Sequence, residues 1–140
     1  MPAGLGARDV LRLEAGYPLY GHELDAQASP YESGVGWAVK MTKGNFIGRA
    51  ALLDLPKTHS LVGLQMDERA IPREHYPISA YGELIGHTTS GTWSPTIKAG
   101  IAMARVEAGF AVSGTPISVD IRGRACSAKV VALPFYRNGV

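Results

Sequence analysis

The sequence predicts a mainly β fold with some α, in which an N-terminal helix and connection are followed by a roughly six-stranded Greek-key β-barrel. Three observations predict it. From residue 61 onward, short apolar runs of strand character recur at spacings of roughly ten, separated by Gly, Pro and polar residues. Residues 117–122 (Ile-Ser-Val-Asp-Ile-Arg) alternate apolar and polar side chains strictly, so they line opposite faces of a strand. The first 56 residues lack that rhythm and mix helix with loop. With so few strands, closing the sheet leaves no unpaired edge, so a barrel is favoured over a flat sheet.

Taken in order, residues 7–15 read as a helix. Val10, Leu11 and Leu13 are apolar, Ala, Leu, Arg and Glu are good helix formers, and Gly16 supplies a stop. A long irregular connection follows, with Pro18, Gly21 and the polar run 25–30, and long ordered connections are often functional. Residues 35–39 have the makings of a short strand. Asn45 is placed to cap a helix over 46–53, which Pro56 ends. Strands are then expected at 61–66, 78–80, 84–89 and 101–106, the second and third forming a hairpin with Tyr81-Gly82-Glu83 at its tip. A last hairpin pairs 117–122 with 125–133 through Arg122-Gly123-Arg124. This divides the chain into residues 1–56, a helix plus connection, and residues 57–140, the barrel.

Composition narrows the function classes. A chain of 140 residues that is 46% hydrophobic can bury a real core. Lys and Arg number 14 against 12 Asp and Glu, which is not the basic footprint of a nucleic-acid binder. No apolar run approaches the roughly 20 residues of a membrane span, and Met1-Pro2-Ala3-Gly4 is unlike the start of a signal peptide. A cytoplasmic protein is expected. Cys126, the single cysteine, has no partner for an internal disulfide and reads as a small buried strand residue.

Strong local motifs for chemistry are missing. His22, His59, His75 and His87 have no metal-ligand spacing. Gly4 and Gly6 imitate a dinucleotide fingerprint, but no strand precedes them and the third glycine is missing. Arg8 and Arg12, four apart on a helix, share a face, with Asp9 and Glu14 available as partners. That face is either solvated and locally ion-paired or a clamp for an anion. Residues 90–96, rich in hydroxyls, read either as a loop for a polar ligand or as turn chemistry around a packed Trp93. In the tail, Phe135, Tyr136 and Arg137 combine aromatics with a guanidinium, suited to stacking or anion contact unless the terminus is loose.

The motifs Gly4-Leu5-Gly6-Ala7-Arg8-Asp9, Leu11-Arg12-Leu13-Glu14-Ala15-Gly16 and Leu19-Tyr20-Gly21-His22-Glu23-Leu24-Asp25 occur in one order. With them come Phe46-Ile47-Gly48-Arg49, Thr89-Ser90-Gly91, Ser94-Pro95-Thr96 and Leu133-Pro134-Phe135-Tyr136-Arg137. Together they resemble the C-terminal portion of the glycine cleavage system T-protein, the folate-dependent aminomethyltransferase, and the resemblance covers essentially the whole chain. Family members run well over twice this length.

The resemblance implies an activity in which an aminomethyl group on the lipoyl arm of the H-protein is passed, with release of ammonia, to tetrahydrofolate to give methylenetetrahydrofolate. It implies folate contacts at Arg8, the arginine of the Gly-Leu-Gly-Ala-Arg-Asp motif, and at Arg137 near the C-terminus. Arg12 then becomes a structural partner. The family's catalytic aspartate and its pterin-holding glutamate lie in the earlier region of the family sequence, and Asp9 and Asp25 are not their counterparts. The isolated chain is therefore expected not to turn over. Residues 1–56 are expected to be a remnant of the central folate-binding region, either more mobile than the barrel or covered by a second copy or a separate N-terminal half. The folate domain of a sarcosine or dimethylglycine oxidase is the alternative within the superfamily. Outside it stands a non-catalytic folate-binding or scaffold module.

Overall fold

The computed structural model describes residues 1–137. Its strands are β1 (His59–Met66), β2 (Pro77–Ala80), β3 (Glu83–Ser94), β4 (Ala99–Glu107), β5 (Pro116–Ile121) and β6 (Arg124–Val131). They close into a barrel in the order β1-β4-β3-β2-β5-β6, all neighbours antiparallel. Strands β2, β3 and β4 follow one another as neighbours while β1 returns beside β4, which is the Greek-key arrangement the sequence predicts.

Turn chemistry fixes two of the hairpins. Tyr81-Gly82 and Arg122-Gly123 each place two successive residues at positive φ (51° and 84°; 56° and 84°), the signature of a two-residue type I′ turn whose twist matches that of its strands. The Asp120 carboxylate accepts the Gly123 N–H at 2.7 Å and braces the second turn.

Inward-facing side chains of every strand form the main core, which includes Val62, Leu64, Ile78, Ile85, Ala104, Val119, Cys126 and Val130. Strand β4 is buried on both faces. Ala102, Ala104 and Val106 point into the barrel, while Ile101 and Met103 point outward into a second cluster with Leu13, Leu61, Leu133 and Phe135. That outer cluster is covered by helix α1 (Leu5–Glu14) and by the C-terminal tail. Gly63 permits the tail's approach, since a Cβ there would meet Leu133, Phe135 and the Val131 carbonyl at 3.0 Å. The tail is therefore packed rather than loose, and the Tyr136 N–H donates to the Glu14 carbonyl at 3.0 Å.

Three expected elements come out differently. Residues 35–39 form a 3-10 turn, Gly36–Ala38, because no strand edge lies alongside to pair with them. The helix expected over 46–53 shrinks to α2 (Arg49–Leu53), because Gly48 takes a left-handed φ of 90° and serves as the N-cap in place of Asn45. The hydroxyl-rich stretch from Ser90 to Ser94 lies inside β3 and is not a loop. A bulge between Thr88 and Ser90 bends that strand and lets three successive side chains, Thr88, Thr89 and Ser90, be buried.

Candidate functional site

Helix α1 ends where Gly16, at φ 71°, turns the chain left-handed. The Gly16 N–H donates to the Leu13 carbonyl at 2.9 Å and the Tyr17 N–H to that of Arg12 at 2.8 Å, the paired bonds of a Schellman motif. Leu13 and Glu14 face the barrel and are buried. The opposite face carries Arg8 and the apolar side chains of Leu5 and Leu11, with Tyr17 just beyond the stop; Leu5 is 83% and Tyr17 68% exposed. Together they line a mostly apolar cleft of about 600 Å³.

Arg8 makes no side-chain hydrogen bond or ion pair among the described residues. It lines the cleft together with Leu5, Leu11 and Tyr17, a combination of charge and apolar surface suited to an anion that carries an apolar body. Arg12 reaches the same cleft but is committed elsewhere. Its Nε donates to Asp9 Oδ1 at 2.8 Å, Nη1 to Glu23 Oε2 at 3.0 Å and Nη2 to Ser90 Oγ at 2.8 Å. The two arginines share a face as the spacing predicts, yet they do not form a clamp.

Glu23 is the hub of that network and is fully buried. Besides Arg12, its Oε2 accepts the Leu19 N–H at 2.9 Å, while Oε1 accepts the hydroxyls of Thr89 at 2.7 Å and Ser90 at 2.5 Å. Each carboxylate oxygen is thus doubly satisfied, as a buried charge requires. The bulge in β3 is what turns both hydroxyls toward it. Beside it, Arg105 donates to the Glu23 carbonyl at 3.0 Å, and His22 Nδ1 lies 3.1 Å from the Thr89 carbonyl. Glu14, at the end of α1, has a similar role. It accepts the hydroxyls of Ser94 and Thr96, tying the helix to the β3–β4 turn rather than to an arginine.

Arg137 is exposed at the end of the packed tail and does not line the Arg8 cleft. Glu32, His87 and Cys126 are among the groups with shifted pKa values. Burial lowers that of His87, with help from the positive charge of Arg105 and from His75 and His59. Burial would raise that of Glu32, but the His59 N–H and the Thr58 hydroxyl it accepts hold the carboxyl below its usual value. The Cys126 thiol is pushed up by burial. Among the described residues, no group of three or more His, Cys, Asp and Glu is placed to hold a metal ion. No helix among them is long and apolar enough to cross a membrane.

Fold and site together define a class: a small closed antiparallel barrel that carries, stapled to its outer face, a helix whose other face is apolar, exposed and cationic. Comparison with known proteins gives that class a family. A model described as the glycine cleavage T-protein C-terminal barrel domain matches residues 59–137, and one described as the GCVT N-terminal domain matches residues 1–43. The chain belongs to the glycine cleavage T-protein family, of which it represents the C-terminal portion.

Among its relatives, an aminomethyltransferase of Symbiobacterium thermophilum is 49% identical over 99% of this chain, and one of Moorella thermoacetica is 51% identical over 98%. The crystal structure of the glycine cleavage system aminomethyltransferase T from Bartonella henselae superposes with a TM-score of 0.87 at 33% identity, covering 96% of this chain. The chain spans 38–39% of the length of these relatives.

Proposed function

We propose that this chain supplies the C-terminal portion of a folate-dependent aminomethyltransferase, in which tetrahydrofolate takes up the one-carbon unit of an aminomethyl group carried on a lipoylated H-protein. In this reading residues 1–56 belong to the folate-binding region and residues 57–140 form the supporting barrel. The observation that carries it is the contrast between the two arginines of α1. Arg12 is engaged inside the protein, whereas Arg8, four residues away, has no side-chain partner among the described residues and lines an apolar cleft.

The donor set fits the cofactor's chemistry. Tetrahydrofolate joins a planar pterin to a glutamate tail, and a guanidinium both stacks on planar rings and binds carboxylate through a fork. Leu5, Leu11 and Tyr17 offer the apolar wall for the flat moiety, and Arg8 the charge. Arg137, on a tail held against α1, is the second proposed contact. When bound, tetrahydrofolate supplies the nucleophilic amine that accepts the carbon. This chain's own residues bind and orient it, and in such a reaction positioning is a large share of catalysis.

Large exposed apolar side chains are concentrated in residues 1–56 and include Leu5, Leu11, Tyr20, Trp37 and Ile47. A surface of this kind supports packing against a further region of the T-protein fold. The test is titration of the chain with tetrahydrofolate, followed by NMR of the arginine Nε–H groups. Arg8→Ala removes a charge-assisted contact worth about 1.5–3 kcal/mol, so binding should weaken roughly 10- to 150-fold. Equal binding by the wild type and Arg8→Ala would refute the assignment of Arg8.

A further inference from the structure

We infer that Glu23 is a positioning residue for the Arg8 site, acting through Arg12. It is too deeply buried to touch a ligand. The inference rests on the folate reading above and names the residues that hold its site in place.

The N-terminal half of α1 is a cantilever. Leu13 and Glu14 dock the last turn of the helix on the barrel, through the outer apolar cluster and the β3–β4 turn respectively. Leu5, Gly6, Ala7 and Arg8 are all exposed. Between these two regions, Arg12 is the side chain whose hydrogen bonds, among the described residues, cross from helix to barrel. Arg12 binds Asp9 on its own helix, the Glu23 carboxylate, and Ser90 on β3. Glu23 is in turn fixed by Thr89, Ser90 and the Leu19 N–H.

Arg8 and Arg12 lie one turn apart on one helix face and border the same cleft. The roll of the helix that satisfies Arg12 is therefore the roll that aims Arg8. A contact geometry must be held to within about half an ångström to be effective, and buried hydrogen bonds behind the contact are what hold it. Glu23 has a second effect. By pairing with Arg12 at the edge of the cleft it occupies donors of that guanidinium, leaving Arg8 as the arginine of α1 whose donors are open to an anion.

The experiment compares wild type, Glu23→Gln, Arg12→Lys and the double variant Thr89→Val/Ser90→Ala, each titrated with tetrahydrofolate while Arg8 Nε–H and the barrel amides are followed by NMR. Arg12→Lys keeps the charge but lacks the planar fork that reaches Asp9, Glu23 and Ser90 together. The double variant keeps every charge and removes the two hydroxyls that hold Glu23, that of Ser90 being also a direct acceptor from Arg12.

The expected result is a loss of affinity of roughly tenfold or more in all three variants, by analogy with removal of supporting groups behind a ligand site. Barrel amide shifts should be retained, and Arg8 Nε–H should be displaced before any ligand is added. Wild-type affinity and an unmoved Arg8 signal in the charge-conserving variants would overturn the positioning role while leaving Arg8 as a folate contact. A wild-type Arg8 signal that ignores tetrahydrofolate would overturn the folate reading and this inference with it.

Discussion

Replacing Leu13 by alanine probes the joint between the helix and the barrel. Leu13 is fully buried, yet it lies outside the barrel, wedged between α1, the outward face of β4 and the tail residues Leu133 and Phe135. The substitution deletes three carbons. At about 0.8 kcal/mol for each buried methylene, the lost transfer term is roughly 2.4 kcal/mol, and an unfilled cavity raises the total toward the range of about 2.7–5 kcal/mol seen for buried leucines. Because α1 and the tail can settle inward, a value near the bottom of that range, about 3 kcal/mol, is expected.

The location of the loss is as informative as its size. Amide exchange in α1 should accelerate on the order of a hundredfold, since each 1.4 kcal/mol is about a factor of ten. Amides of β2 and β5, which have no side chain in the Leu13 cluster, should keep most of their protection. Hydrogen exchange read by NMR, alongside urea unfolding, makes the measurement. A loss under about 1 kcal/mol, or one spread evenly over all six strands, would refute the view that Leu13 docks a helix onto a barrel that stands by itself.

Other consequences follow from single contacts. Gly63→Ala drives a methyl into Leu133, Phe135 and the Val131 carbonyl, so it should cost about 1–3 kcal/mol and loosen the tail, seen as faster exchange of the Tyr136 amide. His87 has a pKa lowered from 6.5 by burial and by Arg105, so the unfolded chain binds its proton more readily than the folded one. Stability is therefore unaffected by this group well above pH 6.5 and falls as pH drops through that value toward the folded one. His87→Gln should flatten that stretch of the curve of urea midpoint against pH, and an unchanged slope would contradict the reading.

Much of the barrel was legible because its signals are local. Strict alternation in residues 117–122 marks a strand with one face in the core, and Gly82 and Gly123 mark turns that only a positive φ can make. Elements whose fate depends on distant residues were not legible in this way. Nothing within residues 90–94 says that a hydroxyl-rich stretch will be buried strand, because the glutamates that satisfy it, Glu23 and Glu14, come from 66 or more residues away in the chain. The apolar residues 35–39 have strand-forming side chains but no neighbouring edge, and Gly48 cuts the helix that composition alone would extend.

The site divides along the same line. Spacing alone put Arg8 and Arg12 on one face, but it could not reveal that Arg12 is spent inside the molecule. That depends on Glu23, an unremarkable acid in a tight turn whose role exists only once the β3 bulge brings Thr89 and Ser90 to it.

The central claim is that this chain carries one side of a divided folate site, with the acidic groups of the reaction supplied by the earlier region of the T-protein fold. The most direct measurement is formation of methylenetetrahydrofolate from lipoylated, aminomethyl-loaded H-protein and tetrahydrofolate. It is made with the chain alone and then with the chain mixed with the complementary N-terminal region of the Moorella thermoacetica relative. The account predicts no product from the chain alone and product from the mixture, lost again when Arg8→Ala is used. Turnover by the chain alone would contradict it, as would a mixture whose activity ignores Arg8.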